Sequence, residues 1–253
     1  MLAIDCATEI LSLALAVNMS PDAADLREKT KIYSMHIDAG KSHSELLFVV
    51  IDDLLKTAKL ESRDIDLFVC QRGPGSWTGL RIGFSAVKGF ALALDKPYLS
   101  IPTLDCMALS VPEADFEGIV LPVLDAKQSR FFWAIYENGK RQTDFLDSAP
   151  ETISPRITHG KDIWLTGDAA QLLLPRLKES LESHYSSCGA HPESVPRIFL
   201  DPHFRKGWAE GLLNYLVKNP IIINKKESVS SVPIYLRKSD AEMSRNFLFN
   251  KKK

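Results

Sequence analysis

Short apolar runs and polar breaks alternate along the first forty residues. Leu2–Ile4, Leu11–Val17 and Lys31–Ile37 have strand length, and Asp5–Glu9 is a tight polar turn between the first two. Asp22–Lys29 is a charged connection. A period near 3.6 takes over at SHSE, where Ser42 and Glu45 have the spacing of a capping box. In the helix this predicts over 43–59, Leu47, Val50, Ile51, Leu54, Leu55 and Ala58 share one stripe. Glu45, Asp52, Lys56 and Lys59 lie opposite, and Phe48 and Val49 fall on or beside that polar side. A strand at Ile65–Cys70 leads into the turn GPGSWTG, and a helix follows from about Ser76 to Leu94. Pro97 stops it, and Tyr98–Ile101 is a fifth strand.

The second half partly repeats this order. Ile119–Leu124 and Arg130–Tyr136 read as strands, and the charged hairpin ENGKRQ leads to a third. A helix at Ala169–Glu182, a loop at His184–Pro196, a strand at Arg197–Leu200 and a helix at Phe204–Lys218 follow. Two halves that open with antiparallel strands and continue into β-α units predict a duplicated α/β fold. The expected division is 1–110 and 111–253, with the last segment a candidate to return to the first lobe.

The helix LRIGFSAVKGFALAL has Arg81, Ser85 and Lys88 as its only polar side chains, all in one narrow sector. A helix apolar over most of its circumference is buried on more than one side. One side can face the sheet, and the other calls for a cover, either the rest of a large domain or a partner. Gly79, Gly83, Ala86, Gly89 and Ala93 would let another backbone come close.

Composition narrows the possibilities. The formal net charge is -1, from 31 basic and 32 acidic residues, so no overall field draws the chain to nucleic acid or membrane. Direct nucleic-acid binding is disfavoured, since a phosphate backbone is held by clustered Lys and Arg. The four cysteines are scattered and suggest a reducing compartment, hence a cytoplasmic protein. Asp5 and Glu9 break the N-terminal apolar run, which has no leading Lys or Arg, so a signal peptide is not expected. No stretch nears the roughly 18 uncharged apolar residues of a membrane span.

The glycine turn is a poor phosphate loop. No Gly-Lys-Ser/Thr follows it, Thr78 stands where a dinucleotide fingerprint has its third glycine, and Pro74 precedes Ser76 where a nucleophile elbow has glycine. It is read instead as a sharp strand-to-helix turn. No two of the six histidines have the i, i+4 spacing of a helical metal site. His184, Cys188 and His191 are near in sequence but lack a fourth ligand, so no metal is expected. Asp5, with Thr8 in the turn after it, is the acidic residue a nucleotide or magnesium ion would use. Its alternative is a turn carboxylate that accepts backbone N–H bonds. The tail Lys251–Lys253 reads as a solvated basic end.

The segments AIDCAT, KSHSELL, RGPGSWTGLRIGFSAVKGFALAL, VLDAKQSRFFWAIY, TGDAA and VPIYLRKSDAE together resemble the bacterial TsaB family, also called YeaZ. The resemblance covers residues 1–110 closely and the rest more thinly. It implies a two-lobed actin-like (ASKHA, RNase H-like) fold with mixed sheets. It implies a role in forming threonylcarbamoyladenosine beside the anticodon of tRNAs that read codons beginning with A. In that system the paralogue TsaD carries the metal and the transfer chemistry, and the small ATPase TsaE takes part. TsaB pairs with TsaD through its N-terminal helices without being the catalyst, and homodimers use the same surface.

Carried onto this chain, the resemblance implies no catalytic residue and no cofactor. It implies a partner surface drawn from His43, Glu45, Phe48, Val49, Trp77, Gly79, Gly83 and Ala86. tRNA and a TsaE-like ATPase would be reached only through the complex. Cys6 and Ala7 depart from the family's more usual Thr and Ser, which counts against phosphate binding beside Asp5 and Thr8. Trp77 replaces a usual Phe. The rival reading is an enzyme that uses Asp5, either an actin-like ATPase or kinase or a glycoprotease-like hydrolase.

Overall fold

A computed structural model describes residues 1–18, 30–110, 116–157, 160–189, 191–203, 207–219 and 232–236. The connection Asp22–Lys29, the start of the helix expected from Phe204, the end of VPIYLRKSDAE and the tail Lys251–Lys253 lie outside the described residues.

Five strands form the first sheet: β1 (Leu2–Asp5), β2 (Ile10–Val17), β3 (Lys31–Asp38), β4 (Phe68–Gly73) and β5 (Tyr98–Pro102), in the order β3-β2-β1-β4-β5. β1–β2–β3 is an antiparallel meander, while β4 and β5 run parallel to β1. A second sheet holds β6 (Ile119–Asp125), β7 (Phe131–Trp133), β10 (Leu146–Ser148), β11 (Ile163–Thr166) and β12 (Ile198–Leu200), in the order β10-β7-β6-β11-β12. Its β6, β7 and β10 are antiparallel, and β11 and β12 run parallel to β6. The two sheets therefore share one topology, as the repeated order of elements along the sequence predicts. The stretch expected as one strand, Arg130–Tyr136, is split. β7 ends at Trp133, and β8 (Tyr136–Glu137) pairs with β6 and with β9 (Lys140–Arg141) across the expected hairpin turn.

Helices cover both faces of the first sheet. α1 (His43–Ala58) and α2 (Trp77–Leu94) pack on one face, where Leu2, Ile4, Leu11, Leu13, Phe68 and Cys70 meet Leu47, Leu54, Phe84 and Val87. α3 (Thr103–Leu109) and α5 (Ala209–Lys218) fill the other face, between the two sheets, against Ala3, Ala14, Val69, Leu124 and Tyr136. α4 (Ala170–Ser187) closes the outer face of the second sheet with Leu173, Leu177 and Leu181. It runs past the Glu182 expected from sequence and takes in His184, so the metal candidates His184, Cys188 and His191 sit on and beyond a helix end. Neither α3 nor β11 is evident from periodicity, since seven and four residues carry too little pattern. Among the described residues no helix is long and apolar enough to cross a membrane.

The expected capping box at α1 is absent. Ser42 precedes the helix with φ -92° and ψ 20°, and its side chain makes no cap bond. A capping hydroxyl is presented from extended backbone, which this turn conformation is not. The Ser42 carbonyl instead accepts from the Glu45 and Leu46 N–H groups. At α2 the cap is present: Ser76 Oγ accepts the Gly79 N–H at 3.2 Å.

Candidate functional site

The residues around Asp5 form a closed polar knot. The Asp5 carboxylate ends β1 fully buried. One oxygen accepts the Ala7 N–H at 2.8 Å and the other the Trp208 N–H at 2.7 Å. Ser12 Oγ accepts the Ala209 N–H at 3.2 Å, so β1 and β2 together hold the first residues of α5. An anion at a helix N-terminus compensates unpaired N–H groups and the helix dipole. Burial outweighs those two bonds and pushes the Asp5 carboxyl up to about 7. Thr8 is also buried, and its Oγ1 accepts the Ile10 N–H at 3.2 Å. Neither oxygen of Asp5 faces solvent, and the turn-carboxylate alternative describes what it does.

The turn after β4 brings α2 hard against this knot. A Cβ on Gly79 would lie 1.9 Å from the Cys6 carbonyl oxygen, and one on Gly83 would meet the Cys6 side chain at 3.7 Å. These glycines serve close approach, as their spacing suggests, but the approaching backbone is the chain's own. Both are buried against the chain's own Cys6. His43 is likewise buried in the first turn of α1, and burial lowers its pKa.

The remaining expected partner residues gather on the outer side of α1 and α2. Phe48 and Val49 are 57% and 58% exposed, and Glu45 beside them is exposed too. An apolar groove of about 810 Å³ runs between the helices, with Phe48, Trp77, Ile82, Ala86 and Phe90 among its lining residues. Phe90 ties it to the core. Its ring stacks on Phe68 at 5.1 Å and leans on Phe48 at 5.9 Å. Trp77 is a half-buried wall of this groove and Ala86 is part of its buried lining.

The open sector of α2 is the one carrying Arg81 and Ser85, with Thr78, Gly89 and Leu92, not the glycine side. The sequence showed that polar sector but gave the partner side to the small residues. It also missed Tyr235. That residue lies 154 positions from Arg81 yet accepts its Nε–H at 3.2 Å, and its ring sits 3.8 Å from that of Trp77. No local pattern reports a contact of that separation. The only signal was that both residues fall in segments carrying the family resemblance.

Comparison with known proteins points in the same direction as the sequence resemblance. A family model described as TsaD, tRNA N6-adenosine threonylcarbamoyltransferase, matches residues 36–157. The tRNA threonylcarbamoyladenosine biosynthesis protein TsaB of Escherichia coli is 29% identical over 168 residues, 66% of this chain and 68% of that protein. TsaB of Bacillus subtilis is 30% identical over 54% of each. The alignments thus span about half to two thirds of these relatives' lengths. The solved structure of YeaZ from Pseudomonas aeruginosa is 24% identical and superposes with a TM-score of 0.67, covering 93% of this chain and 98% of that one. The repeated sheets are those of the two-lobed actin-like fold, and over these spans the chain is similar to the TsaB (YeaZ) proteins.

Proposed function

We propose that this protein is a non-catalytic subunit of the cytoplasmic assembly that makes threonylcarbamoyladenosine on tRNA, and that it docks a TsaD-like paralogue through α1 and α2. The observation that carries the reading is the apolar groove between those helices, lined by the exposed Phe48, with Val49 exposed next to it in α1. Contiguous exposed apolar surface of this kind marks interaction sites on otherwise ordinary proteins. The names of the relatives support the pathway. The Asp5 enzyme is the weaker reading, because a buried carboxylate with both oxygens bonded to backbone N–H groups cannot reach a substrate. A TsaE-like ATPase and tRNA would join through the assembly, and self-association would use the same surface.

The test is co-expression with the paralogue, followed by sizing of the complex. Modified adenosine is then measured in tRNA from cells that depend on this chain. Phe48→Asp should leave a folded monomer that no longer pairs and no longer supports the modification. A Phe48→Asp protein that still co-elutes with the paralogue would place the interface elsewhere. ATP hydrolysis by the purified chain, abolished by Asp5→Ala, would favour the enzyme.

A further inference from the structure

We propose that the element filling the groove is a helix of the TsaD-like paralogue that brings a carboxylate to Arg81. This rests on the partner-subunit reading above. Arg81 is the only charged side chain among the described residues lining the groove. It is exposed, yet its guanidinium is held in place. The carbon Cζ lies 4.3 Å from the Trp77 ring centroid and 5.9 Å from that of Tyr235, and Nε donates to the Tyr235 hydroxyl. Among the described residues no acceptor meets its two terminal amino groups.

Covering the groove with apolar surface alone would strip water from an unpaired cation, which is costly. A carboxylate offers the two-pronged acceptor that a guanidinium fork matches, and an orientation fixed beforehand reduces the ordering needed on binding. Helical shape follows from the walls. Two helices flank the groove, and Gly89 on its floor leaves open space where a Cβ would stand. Tyr235 acts as a positioning residue for Arg81. A second copy of this chain is the competing occupant, since its α1 carries exposed Glu45 one turn from Phe48 and Val49.

Binding of the purified paralogue to the full chain is measured by calorimetry at low and high NaCl, with melting curves to verify that each variant folds. Arg81→Glu should weaken binding by about a hundredfold, through repulsion and a buried unpaired carboxylate on the partner. Arg81→Ala should lose about tenfold and most of the salt dependence. Arg81→Lys should recover the salt dependence but only part of the affinity. Tyr235→Phe should cost a few-fold with the salt dependence retained, a split that loss of packing alone would not give. If Arg81→Glu binds within twofold of wild type while Phe48→Asp abolishes binding, the contact is purely apolar and the carboxylate is refuted, with the interface intact. If both variants bind normally, the interface reading itself falls. Loss of self-association only, with paralogue binding unchanged, assigns the groove to a second copy and overturns the proposal.

Discussion

The turn after β1 and the groove between α1 and α2 invert what their residue types advertise. The turn carries an aspartate, a threonine and a nearby glycine loop, the marks of a phosphate site, yet it is sealed and its polar atoms are bonded internally. The groove is built of Phe, Trp, Ile and Ala, the marks of a core, yet it is open. Polarity tells what a side chain can do, whereas occupancy of its hydrogen-bond positions and of the space beside it tells whether anything remains to be done. On that measure the apolar region is the one left unfinished.

The sharpest test of this contrast lies on the two sides of α2. Gly79→Ala should destabilise the fold by roughly 3 kcal/mol or more, because the clash is with backbone at Cys6 and neither strand nor helix can yield cheaply. Chemical denaturation measures it, and a wild-type midpoint would mean that α2 does not press on β1.

Asp5→Asn should cost about 2 kcal/mol at acid pH, since an amide offers one acceptor oxygen where the carboxyl group satisfies two N–H groups. Its pH dependence has a definite sign. The carboxyl titrates at about 7 when folded and near 3.8 when unfolded, so the folded chain retains a proton that the unfolded chain releases. The stability this lends is complete below pH 3.8 and is lost as pH rises through 7. The gap between wild type and Asp5→Asn should therefore shrink as pH rises, by about 1.4 kcal/mol per pH unit at its steepest, and change sign before pH 7. A gap that is constant with pH would show that Asp5 does not titrate there.

Gly89→Ala lies on the open side, with nothing within 4 Å of the new methyl group, and should stabilise the isolated chain by about 0.5–1 kcal/mol through helix propensity. The smallest effect is expected at Phe48. Phe48→Ser should shift stability by no more than about 0.5 kcal/mol, as for other exposed positions away from special features. A larger loss would make the ring part of the lobe's own core, through its contact with Phe90.

What the sequence made legible follows the same division. The meander, the apolar stripe of α1, the turn into α2 and the exposure of Phe48 and Val49 are local periodic facts, and the structure agrees with each. The bond of Trp208 to Asp5 and the contact of Trp77 with Tyr235 join residues far apart in the chain, which periodicity does not encode. The close approach at Gly79 and Gly83 is of a related kind. A small residue announces that something comes close, but not which backbone does so.

The bond from Trp208 to Asp5 also has a bearing on synthesis. The first strand leaves the ribosome some two hundred residues before the N–H group that completes it. Until α5 emerges, the face formed by Ala3, Ala14 and Val69 lacks that part of its cover. A nascent chain stalled before residue 208 should therefore be a substrate for chaperones and proteases even though all five strands of its first sheet have been made.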